Sequence, residues 1–351
     1  MAASDSRPPA GPHAPSLRTA LKRHKWALVG YRILRNARAA LRQAFGNRQS
    51  AGGRSHAGLA PDESVAYLER VYGDYLRYGG LSEDFVRDKD ILEGGPGDNL
   101  GVALRFLAAG ARRVVSMDRF DARHNPEQER EIYLRLRNRL AAGERKNFDQ
   151  AVDLSRGIQF NRQRLEFVCG RGLERAADTF AASSFDMVVS RAVLEEIADG
   201  ERVFAAIDRV LRPGGISLHK IDLSDYGLFS ANGHHPLTFL TIPGPVYTLM
   251  ARNSDRPGRK MADFYREQAE RYGYDFRLYI TAVIQRAYRR PGLEVLPHKI
   301  ERDLIEGADY GGDTVALVRE IRSRLRPPFR SLSDTDLMTA GIFLAARKKP
   351  G

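Results

Sequence analysis

A glycine-rich turn between two short apolar segments constrains the fold of this chain more than any other feature. Residues 90–118 predict, in order, the strand end Ile91-Leu92, the acid Glu93, the turn glycines Gly94, Gly95 and Gly97, a helix at 100–107 and a strand at 113–117 that ends in Asp118. Parallel strands joined by a helix form a right-handed unit, so the turn and Asp118 meet at the carboxyl edge of the sheet. Open α/β sheets bind their ligands at that edge.

The acid before the glycines separates this turn from the common dinucleotide-binding pattern. Leu100 stands where that pattern has its third glycine, and Glu93 precedes Gly95 by two residues. Glu-x-Gly-x-Gly, with a second acid at the end of the next strand, resembles motifs I and II of the class I S-adenosylmethionine (SAM) methyltransferases. The resemblance implies SAM as the cofactor, with Glu93 near its methionine moiety and Asp118 on its ribose.

A second stretch, residues 184–221, carries the same resemblance. Its pieces Phe-Asp-x-Val-x-Ser (185–190), Val-Leu-Glu-Glu (193–196) and Leu-Arg-Pro-Gly-Gly (211–215) resemble the segment that this family has between strands four and five. Glu196 stands where many relatives have His, so no catalytic role is carried to it. The resemblance covers residues 60–348. It implies a doubly wound, mostly parallel, seven-stranded, Rossmann-like α/β sheet that ends in an antiparallel hairpin.

The resemblance also implies which residues hold the cofactor. Gly94, Gly95 and Gly97 make room for its amino-acid end, and Ser190 and Arg191 lie beside the methyl donor. The residues after the third strand, Cys169-Gly170-Arg171, lack the acid that relatives often have near the adenine. The full predicted cofactor set is Glu93, Gly94, Gly95, Gly97, Asp118, Arg119, Gly170, Ser190 and Arg191.

The end of the fifth strand holds the densest cluster of polar side chains. A hydroxyl or amine acceptor loses a proton when it is methylated, and a His–carboxylate pair can take that proton. We predict His219 and His235 as candidate bases, with Asp222 and Asp225 as orienting or acid partners. The alternative is that His219 is a satisfied strand-end residue and that His234-His235 lie in a surface loop. The spacing of His219, Asp222 and His234 matches no diagnostic metal pattern, so we predict no metal.

Most of the net charge of +12 belongs to the first sixty residues. These contain eleven Arg and Lys against one acid, so +10 lies there and only +2 remains for residues 61–351. Apolar residues of the segment 17–45 fall on one helical stripe, with Trp26 near its edge: Leu17, Leu21, Leu28, Tyr31, Leu34, Leu41 and Phe45. A basic amphipathic helix of this kind can lie on an anionic membrane, bind RNA, or cap the domain with a solvated basic face.

Composition divides the chain into three parts. Residues 1–16 predict a disordered tail, residues 17–59 a basic amphipathic helix and linker, and residues 60–348 the methyltransferase domain, with a lid or substrate-wall insertion at about 223–275. The lone Cys169 suits a reducing compartment, and no apolar run reaches the roughly 18 residues that span a bilayer. We therefore expect a cytoplasmic protein, with residues 17–48 as a candidate contact with an anionic membrane.

The expected function is SAM-dependent methyl transfer to a small-molecule acceptor, by O-methylation of a sugar, glycolipid or other specialised metabolite. Nucleic acid is not the expected acceptor, because residues 61–351 are nearly neutral and carry no evident nucleic-acid module. The alternatives are an RNA methyltransferase that uses the basic arm and a non-catalytic scaffold with a methyltransferase fold. Glu93 and the absence of a third glycine in the turn argue against an NAD-dependent oxidoreductase. The sequence leaves the acceptor atom and the oligomeric state open.

Overall fold

The computed structural model describes residues 24–44, 56–122, 125–251, 258–285, 298–303 and 312–351. The predicted tail 1–16 and most of the predicted linker lie outside the described residues, as do Leu17, Leu21 and Phe45 of the predicted helical stripe.

The described strands form one eight-stranded sheet and a separate two-stranded ribbon made by β3 and β4. In chain order they are β1 (Asp90–Gly94), β2 (Arg113–Asp118), β3 (Val152–Asp153), β4 (Gln159–Phe160), β5 (Leu165–Cys169), β6 (Phe185–Arg191), β7 (Leu211–Asp222), β8 (Asp275–Val283), β9 (His298–Asp303) and β10 (Thr339–Arg347).

Helices cover both faces of the large sheet and build the insertion after β7. In chain order they are α1 (Lys25–Ala44), α2 (Pro61–Gly79), α3 (Gly101–Ala108), α4 (Pro126–Arg139), α5 (Ala142–Ala151), α6 (Ala176–Thr179), α7 (Gly200–Val210), α8 (Gly244–Ala251), α9 (Ala262–Arg271), α10 (Gly312–Ile321), α11 (Pro327–Arg330) and α12 (Asp334–Met338).

The order of strands across the sheet is β5-β2-β1-β6-β7-β10-β8-β9. The first five strands are parallel, and β10 runs antiparallel between β7 and β8. The predicted doubly wound, mostly parallel α/β fold with an antiparallel terminal hairpin is confirmed. β9 adds an eighth strand at the edge, outside the seven that were predicted.

The central strands are buried on both faces, which explains their continuous apolar runs. In β1, Ile91 joins the core that α2 and α3 complete, whereas the next residue, Leu92, joins the core that α7 completes. The register pairs Gly94 with both Met117 and Ser190, and Ser190 with His219. The carboxyl ends of β1, β2, β6 and β7 therefore lie side by side, at the edge where the site was predicted.

Helix α2 covers one face of the sheet and begins at Pro61. Proline suits the first helical position, and the Glu63 carboxylate accepts the Ala60 N–H at 2.8 Å. Ser64, in the first turn, is fully buried. The helix ends at Gly80 in the left-handed conformation, which glycine adopts without steric cost.

The charged tract 127–145 forms two helices, α4 and α5, separated at Leu140. Leu140 has an extended backbone and is buried, and the Ala141 N–H starts the next helix by donating to Glu144 at 3.1 Å. The short helix α12 directly precedes the final strand β10.

Helix α1 packs against α8 of the insertion, and its buried face differs from the predicted stripe. Leu28, Val29 and Asn36 face the body, and the Asn36 amide donates to the Leu249 carbonyl at 2.6 Å. Other members of the stripe point outward: Tyr31, Leu34 and Leu41 are exposed, as is Trp26. The apolar stripe is therefore divided between the buried and the exposed sides of the helix, and its predicted role stays a prediction. No described helix is long and apolar enough to cross a membrane.

Candidate active site

The turn after β1 has a backbone that only glycine accommodates. Gly95 and Gly97 have φ of +68° and +70°, in the left-handed region. A Cβ on Gly95 would lie 2.3 Å from Val193 Cγ2, and one on Gly94 would lie 2.9 Å from Leu173 Cδ2. The turn is a tight backbone cradle held between the loops that follow β5 and β6.

Two carboxylates flank this cradle. Glu93 is buried, and its Oε2 accepts a hydrogen bond from Ser116 Oγ at 2.7 Å. Burial raises the pKa of Glu93 to about 7, a rise that the Ser116 hydrogen bond opposes and the charge of Asp118 increases. Asp118 accepts the Phe120 N–H at 2.9 Å and the Gly97 N–H at 3.4 Å, so it ties the turn to the end of β2.

Other predicted cofactor residues lie at the same edge. Gly170 has φ +84°, and its N–H donates to the Asp118 carbonyl at 2.8 Å. Arg119 is exposed beside Phe120. Arg191 donates to Asp74 of α2 at 2.9 Å, which anchors the end of β6 to the helix above it.

The side chain of Ser190 is not open at this edge. Its Oγ lies 2.7 Å from His219 Nδ1, and both residues are buried within the sheet. Only the backbone of Ser190 is left to face a ligand there. The assignment of the nine residues to a cofactor stays a prediction.

The environment of His219 does not suit the predicted base. The ring is fully buried, and its Nε2 lies 2.5 Å from Ser217 Oγ, so both nitrogens have hydroxyl partners. Burial lowers the pKa of His219 to about 3. A pKa this low makes the imidazole a weak proton acceptor, and both of its nitrogens already have partners, so the structure favours the alternative, a satisfied residue near the strand end.

His235, the second predicted base, also uses both of its ring nitrogens in hydrogen bonds to the backbone. His235 Nδ1 accepts the Leu237 N–H at 3.1 Å, and its Nε2 lies 3.0 Å from the Leu317 carbonyl. The carbonyl requires a proton on Nε2, so the ring has no lone pair left to act as a base. His235 is therefore not the base in this arrangement.

The two aspartates behave differently from each other. Asp225 is buried and accepts three backbone N–H groups and the Ser230 hydroxyl, so it holds a turn together. Asp222 is half-buried at the end of β7 and accepts the Ser224 N–H at 2.8 Å. Of the acids predicted here, Asp222 alone stays a candidate. Among the described residues no cluster of three or more His, Cys, Asp or Glu is arranged to hold a metal ion, and His234 packs edge-on against Phe229.

A carboxylate that the sequence analysis did not select, Glu195, lies between the ends of β6 and β7. Its Oε1 accepts the Asp222 N–H at 3.0 Å and the Tyr226 hydroxyl at 2.7 Å. Its Oε2 is buried and has no hydrogen-bond partner among the described residues. Burial raises the pKa of Glu195 to about 7, and the negative charge of Asp222 adds to the rise.

The segment around Glu195 has a strained backbone. Ala192 and Tyr226, neither of them glycine, have φ of +55° and +50°. Such conformations cost about 1–3 kcal/mol each and concentrate at functional sites. The Gly258 N–H donates to the Glu195 carbonyl, and Lys260 Nζ donates to the Ile197 carbonyl at 2.7 Å. The residues that precede α9 therefore pack against the segment around Glu195. The adjacent acids Glu195 and Glu196 are the only signal in the sequence for a carboxylate at this position, and the sequence does not indicate which of the two is buried.

The strand order, the cradle and its two acids define a class I SAM-dependent methyltransferase fold. Residues 145–218, from α5 to β7, match the family model described as a methyltransferase domain. This stretch of the chain is therefore similar in sequence to a methyltransferase domain, in agreement with the fold. No curated protein matches the chain in sequence.

Solved structures of low identity resemble this chain in shape. Phosphoethanolamine N-methyltransferase 2 of Haemonchus contortus, in complex with S-adenosyl-L-methionine, has 16% identity and a TM-score of 0.40, over 80% of this chain and 52% of its own. An arsenic(III) SAM methyltransferase of Chlamydomonas reinhardtii has 18% identity and a TM-score of 0.35, over 76% and 65%. A putative sarcosine dimethylglycine methyltransferase of Galdieria sulphuraria has 13% identity and a TM-score of 0.38, over 82% and 86%. The chain spans about half the length of the nematode enzyme, and no property of these proteins is carried over to it.

Proposed function

We propose that this protein transfers a methyl group from SAM to a hydroxyl group of a small-molecule acceptor, such as a sugar, a glycolipid or another specialised metabolite. The observation that carries the proposal is the buried carboxylate of Glu195, which keeps one oxygen unpartnered where β6 and β7 end. Acceptors of class I enzymes approach that side of the sheet.

The residues around the cradle fit the cofactor. Positive φ at Gly95 and Gly97 bends the turn tightly at this edge, and glycine has no side chain that would keep a ligand away from the backbone. Glu93 and Asp118 supply a carboxylate at the end of β1 and of β2, suited to an ammonium group and to ribose hydroxyls respectively. When bound, SAM supplies an electrophilic methyl group on a sulfonium that leaves as a neutral thioether.

Glu195 is suited to take the proton that a hydroxyl loses on methylation. An unpartnered buried carboxylate oxygen is costly, and such atoms in native structures call for an explanation such as a catalytic role. A pKa of about 7 lets Glu195 accept a proton near neutral pH, which matches the condition for an efficient general base. Tyr226 and the Asp222 N–H hold the other oxygen, so the carboxylate is oriented before the acceptor arrives.

A hydroxyl acceptor suits this base better than an amine does. A neutral amine can attack without prior loss of a proton, whereas an alcohol is a weak nucleophile until its proton is removed. The proton of the hydroxyl would pass to Glu195 Oε2 as the new carbon–oxygen bond forms.

The test measures S-adenosylhomocysteine formation from SAM with a panel of glycosides, glycolipids and matched amines. We expect turnover with a hydroxyl acceptor, and a loss of about 100-fold or more in kcat for Glu195→Gln, because general-base catalysis contributes roughly 10²–10⁴-fold. The affinity for S-adenosylhomocysteine should stay within about twofold.

The matched control is Glu201→Gln, the same change at an exposed glutamate in the first turn of α7. Methylation of the amines alone, or full turnover by Glu195→Gln, would contradict the proposed acceptor and base. Neither result would decide the cofactor assignment, which is tested separately by the binding of S-adenosylhomocysteine to the wild type and to Asp118→Ala.

A further inference from the structure

A cavity of about 810 Å³ opens between α1, the segment 233–241 and residues 317–330. His234 and His235 line it, but none of the predicted cofactor residues does, and neither does Glu195. Its wall carries the cations Lys25, Arg324, Arg326 and Arg330, against one carboxylate, Glu320. The cavity is therefore a separate, strongly basic feature of the insertion side of the molecule.

The four cations have no ion-pair partner among the described residues. Arg326 and Arg330 donate only to main-chain carbonyls, and Lys25 Nζ donates to Thr241 Oγ1 at 3.4 Å. Burial lowers the pKa of Lys25, and the charges of Arg324 and Arg326 lower it further. Four cations around a single carboxylate favour an anion in the space between them.

An exposed apolar surface lies on α1, whose first residue Lys25 lines the basic cavity, and on the neighbouring α8. The large apolar side chains that are strongly exposed in the described part of the chain all belong to α1 or α8: Trp26, Tyr31, Leu34, Leu41 and Leu249. Lys25, at the cavity wall, lies with its Nζ 5.0 Å from the centre of the Trp26 ring. α1 contains no acid, and Arg35 and Arg38 are exposed beside the apolar residues.

We propose that the cavity binds the phosphate of an anionic phospholipid headgroup while the outward face of α1 and Leu249 lie in the membrane interface. A soluble phosphate would need the cations but not the apolar surface beside them. A surface helix with an aromatic and leucine face and arginines at its border matches the chemistry of the headgroup–acyl boundary. The proposal does not depend on the identity of the methyl acceptor.

The test is co-sedimentation of the full chain with vesicles of phosphatidylcholine alone and with vesicles that also contain phosphatidylglycerol. We expect binding to the anionic vesicles only, weakened about tenfold or more by Arg324→Gln with Arg326→Gln, because each cation at the surface contributes to anionic-lipid binding. Leu34→Ser with Leu41→Ser should weaken the same binding, since both side chains are exposed and their loss leaves the core intact.

The matched control is Lys146→Gln with Arg162→Gln, which removes the same two charges from exposed positions away from this cavity. It should keep vesicle affinity within about twofold. Calorimetric titration with glycerol 1-phosphate separates the two sources of phosphate.

Tight binding of glycerol 1-phosphate without vesicle binding would replace the lipid by a soluble phosphate and overturn the proposal. Equal losses in the cavity and control variants would also overturn it, because they would indicate a general charge effect. So would binding of single-stranded RNA by the same cations in preference to vesicles.

Discussion

The effect of Glu195→Gln on the free energy of unfolding, relative to wild type, should be more favourable at about pH 8 than at about pH 4. In the folded protein the carboxyl is enclosed, and the ionisable groups near it are Asp222, Tyr226, Tyr265 and Lys220. Burial raises its pKa from 4.5 to about 7, so the stability that the protonated form contributes is complete below 4.5 and is lost as the pH rises through about 7.

The size of this effect follows from the pKa displacement. Each pKa unit is about 1.4 kcal/mol, so the wild type should lose about 3 kcal/mol on this account between the two pH values. Gln has nearly the same shape and keeps an oxygen for the Asp222 N–H, but it does not ionise. Its amide adds a buried donor, at a cost of about 1–3 kcal/mol that is the same at both pH values.

The informative quantity is therefore how much the effect of Glu195→Gln on the free energy of unfolding changes between the two pH values. Urea denaturation followed by far-ultraviolet circular dichroism, for wild type and Glu195→Gln at both pH values, cancels the constant cost of the amide. It also cancels the titration of Glu93, which is present in both proteins and has its pKa raised by burial in the same way. A change in the free energy of unfolding that is equal at the two pH values would refute the argument that Glu195 is desolvated.

Three further outcomes test the cradle and its neighbours. Asp118→Ala should weaken the binding of S-adenosylhomocysteine, measured by calorimetry, about tenfold or more, because a carboxylate hydrogen bond is worth about 1.5–3 kcal/mol. The control Asp153→Ala, at an exposed aspartate, should leave the affinity unchanged. No binding to the folded wild type would contradict the cofactor assignment. Gly95→Ala should lower the free energy of unfolding by about 1–2 kcal/mol or more and impair cofactor binding, since its φ is +68° and its Cβ would collide with Val193; unchanged thermal stability would mean that the turn has another backbone conformation. His219→Leu should lower stability by about 1–3 kcal/mol through the stranded serine hydroxyls, yet leave the pH profile of turnover unchanged; loss of one limb of that profile would restore the histidine as the base.

The position of the glycine turn and its two acids could be predicted from the sequence, and the arrangement of the polar groups at the ends of β6 and β7 could not. The acids and glycines around β1 and β2 lie within about thirty residues of chain, and the rule for parallel strands brings them to one edge. The acceptor side depends on which polar group meets which other group across different loops. His219 and Asp225 were chosen for their chemistry, but Ser190 and four donors near residue 230 occupy them.

Local patterns in the sequence by themselves determined the strand–turn–helix–strand unit and the position of the cradle, whereas the terminal hairpin was expected only from the family resemblance. They do so because apolar periodicity and positive φ are properties of neighbouring residues. Only the tertiary structure decided that Glu195, and not its neighbour, is the enclosed carboxylate, since its partners come from the loop after the next strand. It also decided that α1 turns Leu34 and Leu41 outward, because α8, more than 200 residues away (Asn36 to Leu249 is a separation of 213), covers the opposite face. Burial arises from contacts between distant segments, and a residue's own neighbours in the chain do not specify it.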